Sequence, residues 1–218
     1  YGKELKPQFT ETYWRDVPEK GEHPAVIGRL CRFDAESAQD FTATIMHLVN
    51  EGAILINKGT YAFGKKTIED YYLTRVNGYV PQSEIDRKAL SFLFDRVAKS
   101  KDSLWLSSIK QFAKYEPEIF KNEMDSWQGL VSSKTIQAEY FESYSNSKKF
   151  QTIGVAIVVL LVCFVIAFLS GNYLTIFPGI VGCVVVGIVS RFMDRRTQKG
   201  ADTYARCKAL KKWLTEFS

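Results

Sequence analysis

The sequence has few of the residues on which enzymes and metal proteins usually depend. It holds two histidines, His23 and His47, and its four cysteines include no Cys-x-x-Cys pair. This cysteine usage indicates neither a zinc site nor a disulfide framework. Phosphate-loop, dinucleotide-binding, zinc-protease and nucleophile-elbow motifs are absent, and His47 falls beside the apolar face of its helix as a rim residue. The sequence therefore predicts a protein that is not an enzyme, with no metal site and no cofactor.

One long segment also lacks charge of either sign. Between Lys149 and Arg191 lie 41 residues without a charged side chain. A helix needs about 20 apolar residues to cross a bilayer, so this segment has the length for two passes. From Ile153 to Leu169, 13 of 17 residues are Ile, Leu, Val or Phe. Their burial in lipid favours insertion by roughly 5 kcal/mol. With a second apolar run behind it, the segment 150–192 predicts two transmembrane helices joined by a tight turn.

The flanks of this predicted hairpin indicate its orientation. Basic residues lie on both outer flanks and none lies in the turn, so both ends are expected in the cytoplasm. This predicts a multi-pass protein of the cytoplasmic (inner) membrane, with residues 1–147 and 193–218 cytoplasmic. The alternative is a hydrophobic hairpin inside a soluble fold, but soluble helices normally carry a polar face and neither run has one. The flanking cations are candidate contacts for anionic lipid: Lys148, Lys149, Arg191, Arg195 and Arg196.

Small residues recur at a spacing of four in the second apolar run. Gly179, Cys183 and Gly187 would form a stripe along one side of a helix. Such a stripe allows another helix to approach closely in a membrane. The three residues are therefore candidates for a helix–helix contact.

The region before the hairpin predicts a mostly α fold with small β-hairpins, of the α+β class. Residues 1–23 lack a sustained period and read as an extended linker. Residues 24–80 have a helix pair and two short strands, 53–57 and 71–76, joined by a long loop, which is typical of a winged-helix-like unit. Residues 81–147 are expected to be helical, with a helix ending at Gly129 and an element order that permits a second winged-helix-like unit. After the hairpin, 193–218 predicts an amphipathic cytoplasmic helix, either at the membrane surface or packed as an ordinary helix.

The charge distribution gives little support to nucleic-acid binding by this region. Residues 1–148 carry 20 basic and 21 acidic side chains, whereas 149–218 carry 9 and 3, so the net charge of +5 belongs to the flank of the hairpin. The second helix has no Lys or Arg. The basic residues of the expected wing are Lys58, Lys65 and Lys66. Phosphate contacts supply essentially all non-specific affinity for DNA, so nucleic-acid binding is not expected.

Three segments resemble a known family. The stretch HPAVIGRLCRFDAESAQDFTATIMHLVNEGAILINKG is similar to a signature of the YciQ-like bacterial predicted membrane proteins, domain of unknown function 2207 (DUF2207). The start Tyr-Gly-Lys-Glu is similar to the start of that family's cytoplasmic region. After the hairpin, the matching positions are Arg196, Thr197, Gly200, Ala201, Lys211, Trp213 and Leu214. One departure is Ser-Ala-Gln before Asp40, where the family tends to have Pro-Arg.

The resemblance implies a larger protein with a secreted β-rich domain and one membrane pass before Tyr1. A chain that begins with Tyr rather than Met agrees with that expectation. The family carries no assigned activity. The leading hypothesis is therefore a membrane-anchored, non-enzymatic interaction or signalling module that couples an extracytoplasmic region to a cytoplasmic protein partner. The alternative is a membrane-tethered winged-helix regulator that binds DNA through the wing lysines.

Overall fold

The computed structural model describes residues 4–63, 66–170, 176–191 and 195–217. The chain divides into two compact units: Lys20–Gln137, and Tyr1–Glu19 together with Ala138–Ser218. Both units contain helices, and the first also contains a three-stranded antiparallel sheet. The predicted α+β class, mostly helical with a small β part, is confirmed.

The unit Lys20–Gln137 is built from short helices around a small sheet. Its elements are α1 (Pro24–Cys31), α2 (Ala38–Asn50), β1 (Ile54–Phe63), β2 (Lys66–Arg75), α3 (Glu84–Leu90), β3 (Ser103–Trp105), α4 (Leu106–Tyr115) and α5 (Pro117–Gln137). Three of its helices begin after a polar cap. His23, Ser37 and Ser83 each accept a hydrogen bond from the backbone N–H two residues further on. These caps satisfy N–H groups that have no partner within the helix.

The prediction of two short strands joined by a long loop is wrong. Strands β1 and β2 are ten residues each, and their antiparallel register runs from the pair Ile54 and Arg75 to the pair Phe63 and Lys66. Pairing along the whole hairpin satisfies backbone groups that a loop would leave to water. Strand β3 then pairs with β2, although it lies beyond the predicted boundary at residue 80.

Aromatic packing fixes β3 on this sheet. The Trp105 ring lies 4.9 Å from the Tyr61 ring and 5.0 Å from the Tyr72 ring, measured between centroids. Gly59 lies beneath it, where an added Cβ would come within 2.9 Å of the Trp105 Cη2 atom. Cross-strand aromatic contacts of this kind add to sheet stability beyond backbone pairing.

Two helices of this unit have features that the sequence did not predict. Helix α3 continues as a π-helical segment, Ser91–Val97, in which the N–H of Ala98 bonds to the carbonyl of Leu93 at 3.0 Å. Helix α5 does not end at Gly129 but continues to Gln137. Burial explains this continuation, because Val131 and Thr135 both pack inside the unit and the Thr135 hydroxyl bonds to the carbonyl of Val131.

The core of this unit lies between α2, α3 and α5. Trp127 is fully buried, and its indole N–H donates to the carbonyl of Ile85 at 3.2 Å. The Phe41 ring meets the rings of Trp127 and Phe92 edge to face at 5.1 and 5.6 Å. Edge-to-face pairs add about 0.5–1.5 kcal/mol beyond the apolar area they bury.

A charged cluster joins α3 and its π-helical continuation to α5. Glu123 lies 2.7 Å from the Lys88 ammonium and 3.1 Å from the Arg96 guanidinium. The hydrogen bond from Lys88 is the largest effect on the pKa of the Glu123 carboxyl, and with the two positive charges it holds that pKa below its usual value despite burial.

The other unit contains α6 (Ser143–Ser170), α7 (Ile176–Arg191) and α8 (Gln198–Phe217). Helices α6 and α7 occupy the segment expected to hold two transmembrane helices. Across the described residues, no helix combines the length and the apolar content that a membrane crossing requires.

Residues 4–19, expected as an extended linker, form no helix or strand and lie against α8. The side-chain amide of Gln198 donates to the carbonyl of Lys6 at 3.2 Å. Near the other end of the segment, Glu19 accepts from the Thr203 hydroxyl at 3.2 Å and from Arg206 at 3.3 Å. The buried residues of α8 are Gly200, Ala201, Thr203 and Ala209, and the apolar residues Leu214 and Phe217 near its end are exposed.

The start of α8 is tied to the backbone before α6. The N–H of Thr197 donates to the carbonyl of Tyr140 at 2.9 Å, and its hydroxyl donates to the carbonyl of Glu139 at 2.8 Å. The same hydroxyl accepts the N–H of Gly200 at 3.1 Å. Gly200 faces the Tyr140 carbonyl so closely that an added Cβ would lie 2.3 Å from its oxygen. Glycine, which has no Cβ, is thus the residue that fits this close approach.

Candidate functional site

The α6–α7 hairpin presents apolar side chains to its surroundings in every direction that the structure describes. On α6, Val155, Val158, Leu161 and Phe168 are all more than half exposed, and on α7 Val184 is as well. A soluble monomer seldom exposes a contiguous apolar patch of more than a few hundred Å². An apolar environment therefore suits the surface of this hairpin better than water does.

The small-residue stripe faces the hairpin's own first helix. An added Cβ at Gly179 would lie 3.2 Å from the Cβ of Cys163 and 3.2 Å from the Cδ1 of Leu160. One turn further along α7, the thiol of Cys183 donates to the carbonyl of Ala156 at 3.3 Å. The residues predicted for a helix–helix contact thus bring α7 against α6. Gly187 lies in α7 too, but its surroundings are outside the described part of the structure.

The predicted lipid-contacting cations divide into different environments. Arg195 is partly exposed and lies 3.5 Å from Glu142. Arg196 is 1% exposed: its guanidinium bonds to both oxygens of Glu4, at 2.9 and 3.1 Å, and stacks 3.8 Å from the Tyr204 ring centroid. A lipid headgroup cannot reach a guanidinium so enclosed, and the prediction for Arg196 is therefore corrected.

The remaining flanking cations lie at the ends of the hairpin helices. Lys148 and Lys149 fall in the first turns of α6, and Arg191 is the last residue of α7. Their side chains lie outside the described part of the structure.

A family model described as "Predicted membrane protein (DUF2207) C-terminal domain" matches residues 10–218. The chain belongs to this family. The resemblance seen in the three sequence segments is confirmed, and the description of the DUF2207 C-terminal domain supports a membrane location. Curated proteins and solved structures yield no match to the chain.

Two of the three lysines predicted for the wing, Lys58 and Lys66, lie on the β1–β2 hairpin of the DUF2207 domain. Lys58 is on β1, and its ammonium lies 2.6 Å from the carboxylate of Glu69 on the neighbouring strand. Lys66 begins β2, with its side chain outside the described part of the structure, and Lys65 lies outside the described residues altogether. A neighbouring carboxylate offsets the charge that a phosphate contact would need, so the described part of this hairpin does not favour DNA binding.

The DUF2207 domain also brings together three polar side chains that the sequence did not single out as a group. The Nε2 of His23 lies 3.1 Å from Asp86 Oδ1, and the Nε2 of His47 lies 3.8 Å from Asp86 Oδ2. The two imidazole rings meet edge to face at 5.1 Å. His47 is 29% exposed, as its predicted rim position implies, but the Asp86 carboxylate is 4% exposed.

Each member of this cluster is positioned by a helix end. His23 caps α1, His47 lies in the last turn of α2 and Asp86 lies in the first turn of α3. Nearby, burial raises the pKa of the Tyr79 hydroxyl, and the charges of Asp86 and Glu51 raise it further. In the sequence, Asp86 is marked only by its position next to the buried Ile85. The apolar pattern gives no reason to choose this aspartate as a site residue.

Proposed function

We propose that this chain is a membrane-anchored, non-enzymatic module whose α6–α7 hairpin is embedded in the cytoplasmic membrane with both ends on the cytoplasmic side. The observation that carries the proposal is the exposure of apolar side chains around both helices, in a segment without charge. The basic flanks support the orientation, because cytoplasmic loops carry an excess of Lys and Arg. The family description supports a membrane location.

The depth of insertion follows from helix length. Helix α7 has 16 residues, and at about 1.5 Å per residue it is roughly 24 Å long. The hydrocarbon core of a bilayer is about 30 Å thick. The hairpin as described would therefore enter from the cytoplasmic side and reach well past the midplane, and residues outside the described helices would have to contribute for it to cross completely.

Charged substitutions on the hairpin test the anchor. The variant Val158→Asp with Val184→Asp places two carboxylates on apolar positions that are 59% and 56% exposed. Each charge near the bilayer centre costs about 2.5–3.5 kcal/mol, so Val158→Asp removes half or more of the roughly 5 kcal/mol that favours insertion of α6, and Val184→Asp adds a similar cost on α7. The matched control is Met46→Asp, because Met46 is 55% exposed but lies on α2 in the other unit.

The measurement is retention in membranes after an alkaline carbonate wash. We expect the wild-type chain and the Met46→Asp control to stay in the membrane pellet and the double variant to be released. A wild-type chain washed out of the membrane, or a double variant retained like the control, would contradict the anchor. Labelling of a cysteine placed at Asn172, in a chain without its native cysteines, then separates complete crossing from partial insertion.

We further propose that the cytoplasmic part couples an extracytoplasmic region to a cytoplasmic protein partner. It is supported by the large apolar side chains that the unit Lys20–Gln137 exposes, such as Met46 and Leu55. Photo-crosslinking from these two positions in native membranes tests the proposal. We expect the same protein to be crosslinked repeatedly from at least one of the two positions. If the chain stays uncrosslinked at both positions, that result would count against a partner.

A further inference from the structure

The cluster of His23, His47 and Asp86 has the donor set of a metal centre. We propose that these three side chains bind one divalent transition-metal ion, with zinc the best match to two imidazoles and a carboxylate. The site belongs to the unit Lys20–Gln137, and it requires neither a membrane nor a partner. It would therefore exist whatever the α6–α7 hairpin does.

The spacing of the donor atoms fits tetrahedral coordination. Zinc bonds of about 2.0–2.2 Å in a tetrahedron place the ligand atoms roughly 3.3–3.6 Å apart. His23 Nε2 lies 3.1 Å from Asp86 Oδ1 and His47 Nε2 lies 3.8 Å from Asp86 Oδ2, so the two imidazoles face the two oxygens of one carboxylate at separations on either side of that range. All three candidate ligand atoms lie within 4.8 Å of one another.

The charge of Asp86 gives the site its driving force. Within the described part of the chain, its carboxylate has the two imidazoles as its basic groups within 4.0 Å. A buried carboxylate is costly unless several hydrogen bonds or a positive charge compensate it. A divalent cation between the three groups supplies such a charge directly. Three protein ligands would leave a fourth position for water, as in zinc sites that remain open.

The proton on His23 shows what must change when the ion enters. The N–H of Ala25 donates to His23 Nδ1 at 3.2 Å, so the neutral ring carries its own proton on Nε2 and donates it to Asp86. A ring that binds metal through Nε2 carries that proton on Nδ1 instead. The Ala25 hydrogen bond is then lost, at a cost of roughly fivefold in affinity, which corresponds to about 1 kcal/mol. Zinc coordination is strong enough to bear such a loss.

Zinc titration of the full chain in detergent tests the proposal. The chain, freed of any affinity tag and treated with a chelator, is titrated with Zn²⁺ in a calorimeter alongside two variants. His47→Gln removes a ligand at a partly exposed position, and Glu51→Gln removes a nearby carboxylate that is not a proposed ligand. Zinc held by the four cysteines would be the same in all three proteins, so the difference between the variants isolates the cluster.

We expect one Zn²⁺ per chain to be bound at the cluster, with affinity at least tenfold weaker in His47→Gln and within threefold of wild type in Glu51→Gln. Zinc should also raise the melting temperature of wild type and not that of His47→Gln. If His47→Gln fails to give the helical spectrum of wild type, Asp86→Asn replaces it, since it keeps the size of the side chain. No zinc binding at micromolar concentration, or equal binding by all variants, would overturn the proposal and leave the cluster as a hydrogen-bonded cap of α1.

Discussion

Replacing Gly200 by alanine tests how tightly α8 is fixed to the backbone before α6. The added Cβ would lie 2.3 Å from the carbonyl oxygen of Tyr140 and 3.1 Å from its carbonyl carbon. That oxygen also accepts the N–H of Thr197, so it cannot move aside without weakening a hydrogen bond worth about 1 kcal/mol. Overpacking adds a cost of about 1–3 kcal/mol. Alanine recovers about 1 kcal/mol over glycine through helix propensity. We therefore expect the free energy of local unfolding of the first turn of α8 to fall by about 1–3 kcal/mol.

The matched control is Gly129→Ala in α5, where an added Cβ would meet no atom within 4 Å. There we expect a gain of about 0.5–1 kcal/mol, because alanine loses less backbone freedom than glycine on entering a helix. Backbone amide hydrogen exchange in each substituted segment measures both effects in the full chain. We expect faster exchange in the first turn of α8 for Gly200→Ala. For the control we expect slower exchange around residue 129. Unchanged protection in Gly200→Ala would refute the close approach to Tyr140.

Three further predictions concern the unit Lys20–Gln137. Glu123→Gln should lower the free energy of unfolding by about 1 kcal/mol at neutral pH. Because the folded pKa of this carboxyl is depressed, its contribution is present above the unfolded value near 4.3 and is lost as the pH falls through the folded pKa. Urea titrations of both proteins at neutral and acidic pH should therefore converge in acid, and a constant difference would contradict this. Trp127→Phe should cost about 2–3 kcal/mol in the same assay, since it removes the indole N–H that donates to the carbonyl of Ile85 and leaves space where the larger, fully buried ring packed. Lys58→Ala should change stability by less than about 0.5 kcal/mol, because its pair with Glu69 is exposed. It should also leave the affinity for random duplex DNA unchanged at low salt, and a clear fall would revive the DNA-binding alternative.

The helices with strong local signals were predictable from the sequence. Helix α1 begins at Pro24 and α2 follows the cap Ser37, and both residues act through the backbone of their own helix, so such signals can be read locally. The ends were less predictable. Helix α5 passes through Gly129 because burial of Val131 on the far side outweighs the modest local cost of glycine.

The β1–β2 hairpin shows a second limit. Residues 58–70 include Gly59 and several polar side chains, so their local pattern favours a loop. The described residues of this stretch, 58–63 and 66–70, form strand because each has a partner across the hairpin and because Trp105 packs over Gly59. Trp105 lies far from Gly59 in the sequence, so this contact leaves no mark on the local periodicity of the strand.

The candidate sites divide in the same way. The charge-free segment and its basic flanks are properties of composition, and the sequence alone therefore determined the hairpin, its expected orientation and the family to which the chain belongs. Tertiary structure decided which side chains meet. It turned Gly179 and Cys183 towards α6, enclosed Arg196 between Glu4 and Tyr204, and joined two histidines to Asp86. These contacts join residues far apart in the chain, where hydropathy and spacing carry no information about which side chains will touch.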